Sequence, residues 1–191
     1  MTKVIAICGD SGSGKTTLSK KLKGANKSSV ILDCDRYHKW ERSSEQWANY
    51  TPLNPYSNNL DDMIDDILFL TSWTSISRPD YDHKTGKFTE PEIIEPAEVI
   101  ILCGIHSFYG SDCFDSFKIY LDTDDELRKE WKIARDTSER GYSEQQVIDA
   151  IDRRRSDYEK YILPQRDIAD LIIRQYKKDG KIVSETKLRG V

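Results

Sequence analysis

The sequence predicts an α/β fold: a doubly wound parallel sheet with helices on both faces and a small hairpin insertion. Three observations predict it. Short runs of β-branched and aliphatic residues recur along the chain and are nearly continuous, as strands buried on both faces are. Helical patterns separate them. A glycine-rich loop joins the first run to the first helix. The chain has 191 residues, a length that suits one domain over 1–191.

The strands are read at Val4 to Cys8, Val30 to Leu32, Val99 to Leu102, Lys118 to Leu121 and Leu171 to Arg174. A first helix runs from Thr16 to Leu22. In the second, Leu60, Met63, Ile64, Ile67 and Leu68 follow the i, i+3, i+4, i+7, i+8 pattern, with Asn59 as N-cap and Asp61 and Asp62 in the first turn. Residues 72–96 hold Pro79, Gly86, Pro91 and Pro96 among polar residues, with a turn at Lys84-Thr85-Gly86; they read as a hairpin insertion over one end of the sheet. A third helix spans about Asp124 to Ser138. A fourth opens at Ser143, where Gln146 completes a capping box, and ends before Pro164. Asp179-Gly180 marks a two-residue hairpin turn.

Composition narrows the class of function. Hydrophobic residues make up 37% and charged residues 32%, and the net charge is −4. A sequence-independent nucleic-acid binder carries the opposite sign, so no nucleic-acid partner is expected. No apolar run approaches the roughly 20 residues of a membrane span, and no membrane partner is expected. The N-terminus runs straight into a strand without a signal-peptide pattern. Cys8, Cys34, Cys103 and Cys113 form no CxxC pair and no zinc-spaced cluster, and read as reduced thiols of a cytoplasmic protein.

Gly9-Asp10-Ser11-Gly12-Ser13-Gly14-Lys15-Thr16 matches GxxxxGK[ST], follows a strand and precedes a helix. Glycines let the backbone curl so that N–H groups face phosphate oxygens, and the helix N-terminus adds its dipole. Lys15 is placed on the β and γ phosphates, the Thr16 hydroxyl on Mg²⁺, and Thr17 completes the nucleotide-binding set. The pattern predicts a P-loop NTPase-type fold that binds ATP or GTP. It does not separate a kinase from a switch or a motor.

After the second strand come Asp33, Cys34 and Asp35-Arg-Tyr-His38-Lys-Trp-Glu-Arg42. A carboxylate at the end of a strand beside the phosphate loop lies where open α/β sheets bind ligands, and a kinase needs one there to orient the attacking hydroxyl. Here the sequence resembles the phosphoribulokinase/uridine kinase family, whose phosphoribulokinase form of the segment is D-x-Y-H-x-x-[DE]-R. The resemblance continues through Leu53-Asn-Pro-Tyr-Ser-Asn-Asn-Leu-Asp-Asp-Met63, Tyr81-Asp-His83-Lys-Thr-Gly86, Pro91-Glu-Ile-Ile-Glu95-Pro and Gly104-Ile-His106. It ends with Trp131-Lys-Ile-Ala-Arg135-Asp136-Thr-Ser-Glu-Arg140-Gly, Ile162-Leu-Pro-Gln165 and Ala169-Asp170, in the same order over nearly the whole chain.

That resemblance implies Asp35 as the catalytic base, with Lys15, Arg135 and Asp136 also catalytic. It implies His38, Arg42, His83, Lys132 and Arg140 on the acceptor, and a mobile lid over 124–142 whose Lys132, Arg135 and Arg140 close on the phosphates. ATP and Mg²⁺ are the implied cofactors. The implied reaction moves the γ-phosphoryl group to a hydroxyl of a sugar phosphate, with a uridine/cytidine kinase as the alternative and a nucleotide-binding protein without transfer activity as the second alternative. The sequence departs from the family at Cys103, where the strand before Gly-x-His ends in Glu in relatives. A thiol suits a hard cation poorly, which shifts the expected metal set to Thr16, Asp33 and Asp35. Ser13 stands where redox-regulated plant-type members have Cys, so thiol regulation is not implied. The chain length lies nearer uridine kinases, which keeps the acceptor open between sugar phosphate and nucleoside, as the oligomeric state is open, a homo-oligomer included. The run Arg153-Arg154-Arg155 reads as a solvated helix face.

Overall fold

Each apolar run forms a strand, and most extend past their apolar kernels because main-chain pairing sets where a ladder stops. The computed structural model describes residues 2–189. In chain order it contains β1 (Lys3–Cys8), α1 (Lys15–Ala25), β2 (Ser29–Asp33), α2 (Leu60–Thr71), β3 (Ile76–Arg78), β4 (Tyr81–Asp82), β5 (Lys87–Phe88), β6 (Glu92–Ile94) and β7 (Val99–Cys103). β8 (Ser116–Thr123), α3 (Asp125–Glu139), α4 (Glu144–Arg153), the single turn α5 (Arg155–Asp157), β9 (Leu171–Lys178) and β10 (Lys181–Leu188) complete it.

The main sheet has the order β10-β9-β8-β1-β7-β2. All its pairings are parallel except that of β9 with β10. Asp179 and Gly180 link those two strands with φ of 51° and 73°, the doubly positive turn that a two-residue hairpin requires. Along β1, Val4, Ala6 and Cys8 face one side and Ile5 and Ile7 the other. Val4 packs with Leu32, Ile100, Leu102 and the α2 residues Met63, Ile67 and Leu70. Ile7 packs with Ile101, Leu121 and the α1 residues Leu18 and Leu22. The two helices therefore cover opposite faces, and each fully buried aliphatic side chain contributes about 1.5–3 kcal/mol.

Register brings the chemistry to one edge. Ile7 is level with Cys103, and Asp33 of β2 with Cys103 of β7. The carboxyl ends of β1, β2 and β7 thus finish together, and their following loops form one cleft.

Residues 76–94 fold as nested antiparallel ribbons, β3 with β6 outside and β4 with β5 inside. Arg78 fastens the outer ribbon to α2 through Asp66 (2.5 Å) and Asp62 (3.1 Å), and Tyr37 Oη donates to the same Asp66 carboxylate at 2.9 Å.

Local structure departs from the sequence pattern in two places. Asn59 occupies the N-cap of α2, but its side chain makes no cap hydrogen bond. The fourth helix keeps its capping box at Ser143 and Gln146 but stops at Arg153. A wide π-turn (Tyr158–Ile162) and a 3₁₀ segment (Leu163–Ile168) follow, so Pro164 falls inside a helical stretch of changed pitch, at a position where its missing N–H costs little. No helix among the described residues is long and apolar enough to cross a membrane.

Candidate active site

The loop between β1 and α1 is shaped by Gly9, Gly12 and Gly14, with φ of 141°, 91° and 92°. Gly12 has a second constraint. A Cβ there would stand 2.9 Å from Lys132 Cβ and 3.0 Å from Arg128 O, so α3 can rest on the loop only because this residue lacks a side chain. Lys15 Nζ donates to Gly9 O and Asp10 O, both at 2.8 Å, which holds the ammonium over the loop. Thr16 and Thr17 stand in the first turn of α1 and line the cleft. Asp10 turns its carboxylate to Arg128 Nη1 at 2.5 Å, and its Oδ1 accepts from Ser11 N at 2.6 Å. Ser13 is buried; its carbonyl accepts from Thr123 Oγ1 at 3.1 Å.

Across the cleft, the turn after β2 carries Asp35. Its side chain is 27% exposed and lies between two imidazoles: His83 Nε2 at 2.9 Å from Oδ2 and His38 Nε2 at 3.5 Å from Oδ1. Burial opposes its ionisation, but His38, His83 and Lys15 outweigh that and hold the carboxyl well below the usual range. Asp33 goes the other way: burial, reinforced by the Asp35 charge, pushes its carboxyl up. Asp33 Oδ1 accepts from Asp35 N at 3.0 Å, which fixes the turn that sets both groups. The rings of Trp47 and Tyr81 pack edge-on against His38, and Tyr81 likewise against His83.

Arg42 binds the inner ribbon. Its main-chain N–H donates to Gly86 O at 2.8 Å, its guanidinium donates to His83 O, and the same group lies 5.0 Å from the centre of the Tyr142 ring. It thus joins the β4–β5 turn, which carries His83, to the segment after α3.

On α3, Asp136 gathers three cations. Lys132 Nζ is 2.7 Å from Oδ2, Arg135 Nη2 is 2.7 Å from Oδ1 and Arg140 Nε is 3.5 Å from Oδ1. Asp136 is only 3% exposed. Its burial opposes ionisation, and Lys132, Arg135 and Arg140 more than offset that, so its pKa is lowered. Burial brings the Lys132 ammonium down to about 8, with Arg154 adding repulsion. Lys132 Nζ also reaches Ser11 Oγ at 3.2 Å, so the cations sit directly over the phosphate loop.

The structure therefore brings all the expected site residues but Gly9, Asp10 and Ser13, which build the loop from behind, into the lining of one cleft of about 1580 Å³. That volume exceeds the roughly 300–1000 Å³ of a single-ligand pocket, as a site for two substrates must. Sequence reasoning missed Arg128, Arg154 and Asn58. Arg154 belongs to the basic run read as a solvated face. Instead it lines the cleft with Arg153, burial lowers its pKa, and its Nε has no hydrogen-bond partner among the described residues. Arg154 is the C-cap of α4, and nothing in the charge pattern marks that helix end.

For a divalent cation, Thr16 and Asp33 offer the hard oxygen donors that Mg²⁺ prefers, and nucleotide phosphates supply the rest in such sites. Asp35 spends Oδ2 on His83 at 2.9 Å, and its Oδ1 lies 3.5 Å from His38. Cys103 is 2% exposed and burial pushes its thiol up to about 12, so it is neutral and no substitute for a carboxylate. Asp33 is its register partner on the neighbouring strand. The donor set therefore fits Mg²⁺ through Thr16 and Asp33.

Comparison with known proteins shows the family. Residues 4–180 match the family described as "Phosphoribulokinase / Uridine kinase family". The chain is 36% identical over 174 residues to a phosphoribulokinase of Synechocystis sp., covering 89% of this chain and 52% of that protein. It is 34% identical over 183 residues to a uridine kinase of Leuconostoc citreum, covering 89% and 86%. The chain thus spans about half the length of the phosphoribulokinases it matches. The crystal structure of phosphoribulokinase from Rhodobacter spheroides superposes with a TM-score of 0.71 at 20% identity, covering 91% of this chain and 70% of that one, a likeness of fold.

Proposed function

The chain belongs to the phosphoribulokinase/uridine kinase family, and from that membership we propose that its cleft transfers the γ-phosphoryl group of ATP to a hydroxyl of a pentose-like acceptor, a phosphorylated sugar in preference to a nucleoside. One observation carries the reading: Asp35, flanked by His38 and His83, faces the same cleft as Lys15 and the α3 cations. Asp35 orients the attacking hydroxyl and takes its proton. Lys15, Lys132 and Arg135 stabilise the charge spread over the transferring group, and Asp136 keeps the cations in place. Thr16 and Asp33 hold Mg²⁺, which when bound neutralises phosphate charge. Arg42 and Arg140 give the acceptor end its positive charge, which favours an anionic sugar. Four free cysteines, three of them buried, suit a reducing cytoplasm.

A nucleoside acceptor is the second reading, favoured by the Trp47 and Tyr81 rings in the cleft lining. The test is acceptor-dependent ADP release with ATP and Mg²⁺ against ribulose 5-phosphate, other pentose phosphates, uridine and cytidine. A pentose phosphate should give the highest kcat/KM. Efficient turnover of uridine alone would establish the second reading, and ATP binding without any acceptor-dependent release would establish a nucleotide-binding protein.

A further inference from the structure

Asn58 lies at the junction of the contacts that hold His38, and it is 5% exposed. Its Nδ2 donates to Pro52 O and Asn54 O, both at 3.1 Å. Carbonyl oxygens only accept, so the amide nitrogen must face them and Oδ1 must point the opposite way. Oδ1 lies 2.8 Å from His38 Nδ1. An amide oxygen cannot donate, so the hydrogen in this contact belongs to His38 Nδ1. The backbone builds the arrangement firmly. His38 and Asn58 form an antiparallel bridge, flanked by Lys39 N to Ser57 O at 2.9 Å and Asn59 N to Tyr37 O at 2.7 Å. Pro52 O is itself steadied by a second donor, His106 Nε2 at 3.2 Å.

We propose that Asn58 is a positioning residue for phosphoryl transfer: it holds His38 in the Nδ1-protonated tautomer and thereby keeps one oxygen of Asp35 open to the acceptor hydroxyl. The inference rests on the transfer reading above and deepens it. With Nδ1 carrying the hydrogen, the neutral ring presents only a lone pair at Nε2, 3.5 Å from Asp35 Oδ1; the charged ring, whose field lowers the Asp35 carboxyl, carries hydrogens on both nitrogens. That distance exceeds a normal N–H···O bond of about 2.7–3.2 Å. The other tautomer would point an N–H at the carboxylate, draw it into a charge-assisted bond and occupy the oxygen that the hydroxyl needs. His83 at 2.9 Å already holds Oδ2. The two histidines therefore act differently. His83 fixes the carboxylate, and His38, restrained by Asn58, shapes the space beside its free oxygen.

The test reads the tautomer directly and does not need activity. ¹⁵N NMR of histidine-labelled protein, with His38 assigned by its loss in His38→Gln, should show a protonated Nδ1 and an unprotonated Nε2 when the ring is neutral. Asn58→Ala should shift His38 toward the Nε2–H form and lower kcat by about 10²-fold, the scale of a small misplacement at a reacting group, with KM for ATP unchanged. Asn58→Asp, which keeps an oxygen on Nδ1, should retain the wild-type tautomer. An Nε2–H ring in the wild type overturns the proposal whether or not any variant folds. So does an Asn58→Ala protein with wild-type kcat. An Nδ1–H ring in a wild type that transfers nothing to any acceptor would uphold the tautomer assignment and defeat the transfer reading instead.

Discussion

Asp33 and Asp35 stand two residues apart and are pushed in opposite directions, because only one of them has imidazoles against it. From the sequence both carboxylates have the same standing as metal candidates; what separates them is direct contact with His38 and with His83, the latter on a ribbon distant along the chain. Cys103 was legible as a departure, with Asp33 and Asp35 as the carboxylates to compensate for it; what the sequence left open was that strand register sets Asp33 beside it. Asn58 was hidden for a different reason: its side chain is engaged by His38, Pro52 and Asn54 through contacts that no local pattern marks. His106 carries a pH prediction. Burial brings its pKa from 6.5 to about 4, although its bond to Pro52 O works the other way. Below about pH 6.5 the unfolded chain takes up a proton that the folded chain refuses until about pH 4. Its contribution to stability is therefore intact above 6.5 and is lost as pH falls toward 4, at about 1.4 kcal/mol per pH unit. Urea unfolding of wild type and His106→Gln across this range should show the steeper loss in wild type. Parallel curves would mean that His106 takes up its proton as readily in the folded protein as in the unfolded chain.

At the level of elements, the contacts of α3 predict where a lid would move. α3 is held at its N-terminal half by Arg128 on Asp10 and by the contact of Lys132 with Gly12, whereas its C-terminal end turns at Gly141, with φ of 74°, into Tyr142 over Arg42. Motion on nucleotide binding is therefore expected at 135–142 and not along the whole helix. Gly12→Ala should separate loop from helix. A side chain at this positive φ costs about 1–3 kcal/mol, and the Cβ meets α3. Nucleotide affinity measured by calorimetry should fall about 10-fold or more, with faster amide exchange in α3; an unchanged affinity would show that α3 does not rest on the loop in solution. The apolar runs and the capping box were readable because burial and capping are local signals. The 3₁₀ turns between β2 and α2 and the break after α4 were not, because side-chain contacts over long sequence separations set them. Thr51 Oγ1, which donates to Asp157 at 2.7 Å, is one such contact.

For the whole molecule, parallel register explains why a sequence motif and a distant carboxylate become one site: β1, β2 and β7 end level, and the insertion and α3 close the cleft from either side. The sheet was legible from continuous β-branched runs, and the P-loop from its spacing. Acceptor identity was less so, because Arg42, expected on the substrate, spends part of its fork on the carbonyl of His83. Everything proposed for the cleft depends on Asp35 acting on an acceptor hydroxyl beside bound ATP. Acceptor-dependent ADP release by wild type and Asp35→Asn, with ATP affinity followed in parallel, measures that dependence. The substitution should lower kcat about 10² to 10⁴-fold and leave ATP binding intact. A variant that keeps more than about a tenth of the wild-type rate, far above what remains on losing a general base, would remove Asp35 from that role.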